Sequence, residues 1–211
     1  MSLEKQWEPQ FARFLSDQPG NDPGHGLEHV RRVVATAKRL CVREGARGEI
    51  VLPAAWLHDC VHIAKDSSER SSASRIAAAR AVEFLTGAGY PAGDLPHIRH
   101  AIEAHSYSAG IPPRTIEAKI VQDADRLDAL GAIGIARCMA VGASIGRPIY
   151  RSDDPFCAAR KPDDAGSAVD HFYTKLLKLA DTMQTEAGRL EAERRSAYMQ
   201  GYLDQLRLEI G

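Results

Sequence analysis

The chain has 211 residues, 44% hydrophobic and 26% charged, with 27 basic against 28 acidic side chains and a formal net charge of −1. The length lies in the one-domain range, and the composition excludes both a disordered and a membrane-embedded chain. The charge balance supplies no field to hold nucleic acid or an anionic membrane surface, so any anion must be gripped locally.

The segment Met1 to Trp7 has no basic stretch followed by an apolar run. No apolar segment approaches the roughly 18 residues of a membrane span, so the expectation is a cytoplasmic protein. Cys41, Cys60, Cys138 and Cys157 lie far apart without CxxC spacing and read as reduced thiols.

Apolar residues recur with helical spacing nearly everywhere, and no strand is predicted. The turn residues Pro19 to Gly24 open a helix of about 27–44, striped by Leu27, Val30, Val34, Ala37 and Cys41 and closed by Gly45 to Gly48. A second helix runs through Leu52 to Asp59, with Pro53 in its first turn. After the polar loop Lys65 to Arg70, the Ala-rich stretch Ser72 to Ala88 is helical and capped by Ser71 or Ser72. Helices follow over about 95–107 and 115–145, then a turn-rich stretch over 146–166 that reads as a functional loop or local disorder. Two helices, about 167–183 and 185–209, finish the chain, with Glu191 and Arg195 paired on an exposed face. The expected fold is a single all-α domain over 1–211, a bundle of seven or eight helices. The Ala77-Ala78-Ala79 surface is compatible with subunit packing in a homodimer.

Four candidate metal ligands, His29, the pair His58-Asp59, and Asp125, sit in apolar helical stretches. Two imidazoles and two carboxylates suit a divalent ion such as Mn, Fe, Co, Ni or Mg, and the absence of thiolates argues against a structural zinc knot. Burying His58-Asp59 amid Trp56, Leu57 and Val61 is costly unless charge or metal compensates it. On a helix, Asp123 and Asp125 face opposite ways, whereas Asp125 shares its face with Asp128, which can orient a histidine ligand or a water. His100 and His105 are about 140° apart around a helix, which favours one ion over two. Of these, His105, at a predicted helix end, is the better placed to reach substrate.

The ordered set His29, His58-Asp59, Asp125 resembles the H…HD…D pattern of the HD-domain metal-dependent phosphohydrolases. The segments His25 to Val33, Ala55 to Ser74, Gln122 to Arg137 and His171 to Leu177 are similar to a bacterial subgroup that includes a manganese-dependent nucleoside triphosphate pyrophosphohydrolase. The resemblance implies an all-helical enzyme using one divalent ion, Mn foremost. Its implied reaction is attack of metal-activated water on a (deoxy)nucleoside triphosphate, yielding monophosphate and pyrophosphate. A phosphodiesterase or phosphomonoesterase acting on another nucleotide is the alternative, and a non-catalytic nucleotide sensor is the reading from a different class. Two departures stand out. His25-Gly26 replaces the His-Asp of many subgroup members, and His62 stands where several HD enzymes place a glutamate one turn after the HD histidine.

A triphosphate needs cations and oriented N–H donors. Lys65 and Arg70 follow the HD helix, Ser72 opens the next helix with its exposed amides, and Arg126, next to Asp125, and Arg137, further along, can each neutralise phosphoryl oxygens or serve as a structural ion-pair partner. His62, one turn from His58 on the same face, can bind substrate, shuttle a proton or project into solvent.

Overall fold

A computed structural model describes residues 3–17, 26–61 and 70–211, with the backbone alone at Arg70. Nine α-helices and short 3₁₀ turns make up its regular structure, and no strand occurs among the described residues. No single helix there is long and apolar enough to cross a membrane. The chain divides into two compact units, Met1–Asp125 and Arg126–Gly211.

In the first unit α1 (Leu3–Ser16) is an element the sequence reading did not assign. Trp7 and Phe11, four residues apart, form its buried stripe, and Phe14 stacks on Phe84 with ring centroids 4.1 Å apart. Helix α2 (Leu27–Glu44) has the predicted bounds and stops at Gly45, whose φ of 63° is the left-handed conformation that ends helices. Helix α3 (Gly48–Leu57) is buried at every residue from Ile50 to Leu57 and packs against α1, α2, α4 (Ala73–Gly87) and α5 (Leu95–His105). A helix apolar all round belongs at the centre of a core.

The sequence reading placed Pro53 in the first turn of this helix, but it is the sixth residue of α3. A proline there has no N–H for the carbonyl four residues back, which belongs to Glu49. The Tyr90 hydroxyl donates to that carbonyl at 2.6 Å and fills the gap. Tyr90→Phe is therefore expected to cost about 0.5–1.5 kcal/mol in urea denaturation, the net worth of one part-buried hydrogen bond. In a Pro53→Ala background, which restores the N–H, the same change should cost clearly less.

Ser72 occupies the cap position of α4, but its hydroxyl makes no capping bond, contrary to the expected cap. Residues Arg70–Ser72 form a 3₁₀ turn instead. Ala77 and Ala78 are buried within the unit, where the main-chain carbonyl of Ala77 accepts from Cys60 Sγ at 3.3 Å. Burial pushes the Cys60 thiol up to about 12, which makes it inert at neutral pH.

The helix expected over 115–145 is two: α6 (Ile116–Leu127) and α7 (Gly131–Ser144). Two glycines make the break. Gly131 has φ 72°, and a Cβ on Gly134 would lie 2.2 Å from the Ala129 carbonyl oxygen. The Leu127 carbonyl released by the break accepts from Arg195 Nη1 at 2.6 Å.

In the second unit α7 packs on α8 (Ala168–Thr174) and α9 (Glu186–Ile210). The helix predicted over 167–183 is α8 followed by 3₁₀ turns at Leu176–Lys178 and Ala180–Thr182. Arg195 and Glu191, expected on an exposed face, are only 17% and 20% exposed and bond at 2.7 Å. The stretch before α8 is irregular yet internally bonded. Asp154 accepts from the amides of Ala158, Ala159 and Arg160, and Asp170 accepts from both terminal guanidinium nitrogens of Arg160.

Candidate metal centre

The start of α2, the ends of α3 and α5 and the last turn of α6 supply the site, all within Met1–Asp125. His29 lies in the first turn of α2 and is 2% exposed. His58 follows the last residue of α3 and is fully buried. The carbonyls of a helix's final turn lack internal donors, and the His58 ring supplies one: Nδ1 donates to Ala55 O at 2.9 Å. A carbonyl only accepts, so the His58 proton resides on Nδ1 and the neutral ring presents its Nε2 lone pair to the site. Burial pushes the His58 imidazole down, partly offset by Asp59, and keeps it in this metal-ready neutral form.

His58 Nε2 is 3.3 Å from His29 Nε2 and 3.8 Å from Asp125 Oδ1, and His29 Nε2 is 3.4 Å from Asp125 Oδ1. Bonds of about 2.1 Å to one cation put neighbouring donors about 3.0 Å apart at 90° and about 3.4 Å apart at 109°. The two edges to His29 are of that size and the His58–Asp125 edge, at 3.8 Å, is slightly longer, so a divalent ion fits between these residues with the angle at that edge opened. Asp59 Oδ2 is 3.7 Å from His58 Nε2. The imidazoles are sealed while the Asp59 and Asp125 side chains are 29% and 30% exposed, so the carboxylates form the solvent-facing rim. Burial alone would raise the Asp125 carboxyl. The His29 hydrogen bond and the imidazoles of His58, His29 and His105 outweigh it and hold that carboxyl well below the usual range. Asp123 is fully buried and belongs to neither candidate ligand set among the described residues.

The second of those sets is His58, Asp59 and His105. His105 ends α5 as His58 ends α3, with Nδ1 donating to Ile102 O at 2.6 Å and Nε2 3.4 Å from Asp59 Oδ1. Burial works against charge on His105, but its bond to Asp59 and the nearby carboxylates raise its pKa overall; with Nδ1–H given to Ile102 O, the ring that bonds Asp59 through Nε2–H is the imidazolium, unlike neutral His58. Because His58 has one nitrogen to offer, its two sets cannot both be complete at once. Sequence reasoning sent His105 toward substrate; the structure places it at 6% exposure against a candidate ligand. Its position on the closing turn of a helix, three residues after a carbonyl in need of a donor, was the available signal. His100 turns elsewhere and accepts from the Arg114 amide at 3.0 Å.

The remaining candidates are less concentrated. His62 and Lys65 lie outside the described residues, as does the Arg70 side chain. Arg126 donates to Thr182 O at 2.6 Å. Asp128, 4% exposed, accepts from Arg137 Nη1 at 2.6 Å, so two residues read for separate roles are partners of each other.

A family model for the HD domain matches residues 26–130. The chain belongs to the HD superfamily of hydrolases. Its relatives include the Bacillus subtilis protein YpgQ, 34% identical over 191 residues that cover 89% of this chain and 85% of the relative. The solved structure of an HD-superfamily hydrolase from Bacillus thuringiensis is 34% identical, with a TM-score of 0.76 over 98% of this chain and 97% of that one. The structure of B. subtilis YpgQ in complex with ADP is 31% identical, with a TM-score of 0.70 over 97% and 93%.

Proposed function

We propose that the protein is a metal-dependent phosphohydrolase that cleaves (deoxy)nucleoside triphosphates to the monophosphate and pyrophosphate. The observation that carries this reading is the triangle of His29 Nε2, His58 Nε2 and Asp125 Oδ1, with Asp59 beside it, in a chain of the HD superfamily. The ADP-bound structure of YpgQ supports a nucleotide as ligand.

His29, His58, Asp59 and Asp125 hold a single divalent ion, Mn foremost. When bound, that ion supplies Lewis-acid stabilisation of phosphoryl charge and acidifies a water. His58 contributes a fixed, uncharged nitrogen because its other nitrogen is bound to Ala55 O. The carboxylates carry the negative charge that balances the cation, and their exposure leaves an approach for the phosphate chain. Lys65 and Arg70 are assigned to the phosphates from the sequence, with the amides at the start of α4 following Ser72. Arg126 and Arg137, engaged with Thr182 and Asp128, are assigned more to holding the chain than to substrate.

The test is incubation of Mn-loaded protein with nucleoside tri-, di- and monophosphates, with products resolved by ion chromatography. Equimolar monophosphate and pyrophosphate from triphosphates is the expected result. Orthophosphate release, or hydrolysis confined to monophosphates or diesters, replaces this reading with the phosphatase or diesterase one. Stoichiometric nucleotide binding without turnover replaces it with a sensor.

A further inference from the structure

The two oxygens of Asp59 are divided between two buried imidazoles. Oδ2 is 3.7 Å from His58 Nε2, and Oδ1 is 3.4 Å from His105 Nε2. The rings of His58 and His105 stand nearly perpendicular, 82° between planes, with centroids 4.9 Å apart. His105 is aimed rather than loosely placed. Its Nδ1 is anchored to Ile102 O, Ser74 Oγ donates to Glu103 O at 2.9 Å, and Gln122 Nε2 donates to Ala104 O at 2.7 Å. Two neighbouring helices thus fasten the turn that carries the ring.

We propose that His105 is a positioning residue: it holds Asp59 Oδ1, so that Oδ2 alone is presented beside His58 and Asp59 acts through one oxygen. The inference rests on the metal-site reading above and adds a division of labour within it. A carboxylate using both oxygens on one ion occupies two coordination positions, and a carboxylate limited to one leaves a position for water or a phosphoryl oxygen. Partners that orient a ligand in this way are typically worth about 10–100-fold in metal affinity.

Two substitutions separate this role from a structural one. His105→Asn keeps an N–H near the anchored Nδ1, which can still meet Ile102 O, but cannot reach Asp59. His105→Gln carries an amide N–H toward the former Nε2 position. Mn(II) affinity is measured on the full chain by electron paramagnetic resonance titration, after circular dichroism confirms folding. Electron spin-echo modulation counts the histidine nitrogens on the bound ion.

The expected result is about 10–100-fold weaker Mn(II) binding for His105→Asn and recovery to within about threefold of wild type for His105→Gln. Two histidine nitrogens should be counted in all three proteins. Wild-type affinity in His105→Asn overturns the proposal, as does a third histidine nitrogen in the wild type that vanishes in both variants, which makes His105 a ligand. Equal weakening in both folded variants also overturns it. The readout is independent of turnover. If wild type binds Mn(II) and hydrolyses no nucleotide, the hydrolase reading fails while the affinity pattern still decides His105. If nucleotides are hydrolysed and the pattern is missing, only the positioning role fails.

Discussion

His58→Asn is expected to lose Mn(II) binding by at least about 100-fold and to lose nucleotide hydrolysis with it, while keeping the fold of the metal-free protein. The two halves of the imidazole have separate duties. Nδ1 serves the chain by closing the end of α3 onto Ala55 O, and Nε2 faces His29, Asp125 and Asp59. Asparagine places its amide nitrogen near Nδ1 and offers nothing at Nε2, so the helix end is retained and a ligand is removed. The measurement is thermal unfolding with and without metal. An ion at 100 times its dissociation constant stabilises a folded protein by about 2.7 kcal/mol, which for a chain of this length is roughly 5–10 °C. Wild type should show that rise and His58→Asn should not. A variant that keeps both the metal-induced rise and its turnover would remove His58 from the ligand set and leave the hydrolase reading without its centre.

What the sequence could convey about this site follows from which interactions are local. Helical class, the bounds of α2 and the opposed faces of Asp123 and Asp125 depend on a period of 3.6 residues, which any window of the chain displays. The features it did not display depend on distant partners. Pro53 sits mid-helix because a tyrosine 37 positions later supplies the missing donor. The chain breaks between α6 and α7 where Gly131 takes a left-handed φ and Arg195 receives the released Leu127 carbonyl. An apolar pattern continuous across 115–145 gives no hint of that arginine. His29, His58, Asp59 and Asp125 stood out as donor types in apolar settings, but His105 looked like a group for substrate because its ring direction is decided by α5 ending at that residue and by Nδ1 closing onto Ile102. The stretch before α8 read as loop or disorder because its order comes from two carboxylates collecting main-chain amides, a pattern without periodicity.

One of those carboxylates carries the other large expected effect. Asp170 is fully buried and accepts from Arg160 Nη1 and Nη2 at 2.5 and 2.7 Å, from the Asp163 amide at 2.7 Å and from Ser167 Oγ at 2.6 Å. Asp170→Asn turns one acceptor oxygen into a donor facing donors and removes the charge that the guanidinium matches. The loss should be about 2–4 kcal/mol at pH 7, read by urea denaturation. The pH dependence distinguishes this mechanism from simple misfit. The Arg160 guanidinium, with Ser167 and the Asp163 amide, holds the Asp170 carboxyl well below its usual value of about 3.9. Between the folded and unfolded values the unfolded chain binds the extra proton, so the stabilisation is complete above about pH 4 and drains away as pH falls toward the folded value. The gap in stability between wild type and Asp170→Asn should therefore be widest near neutrality and narrow below about pH 4. A gap that stays constant or widens on acidification would show that packing, rather than the buried ion pair, makes Asp170 matter.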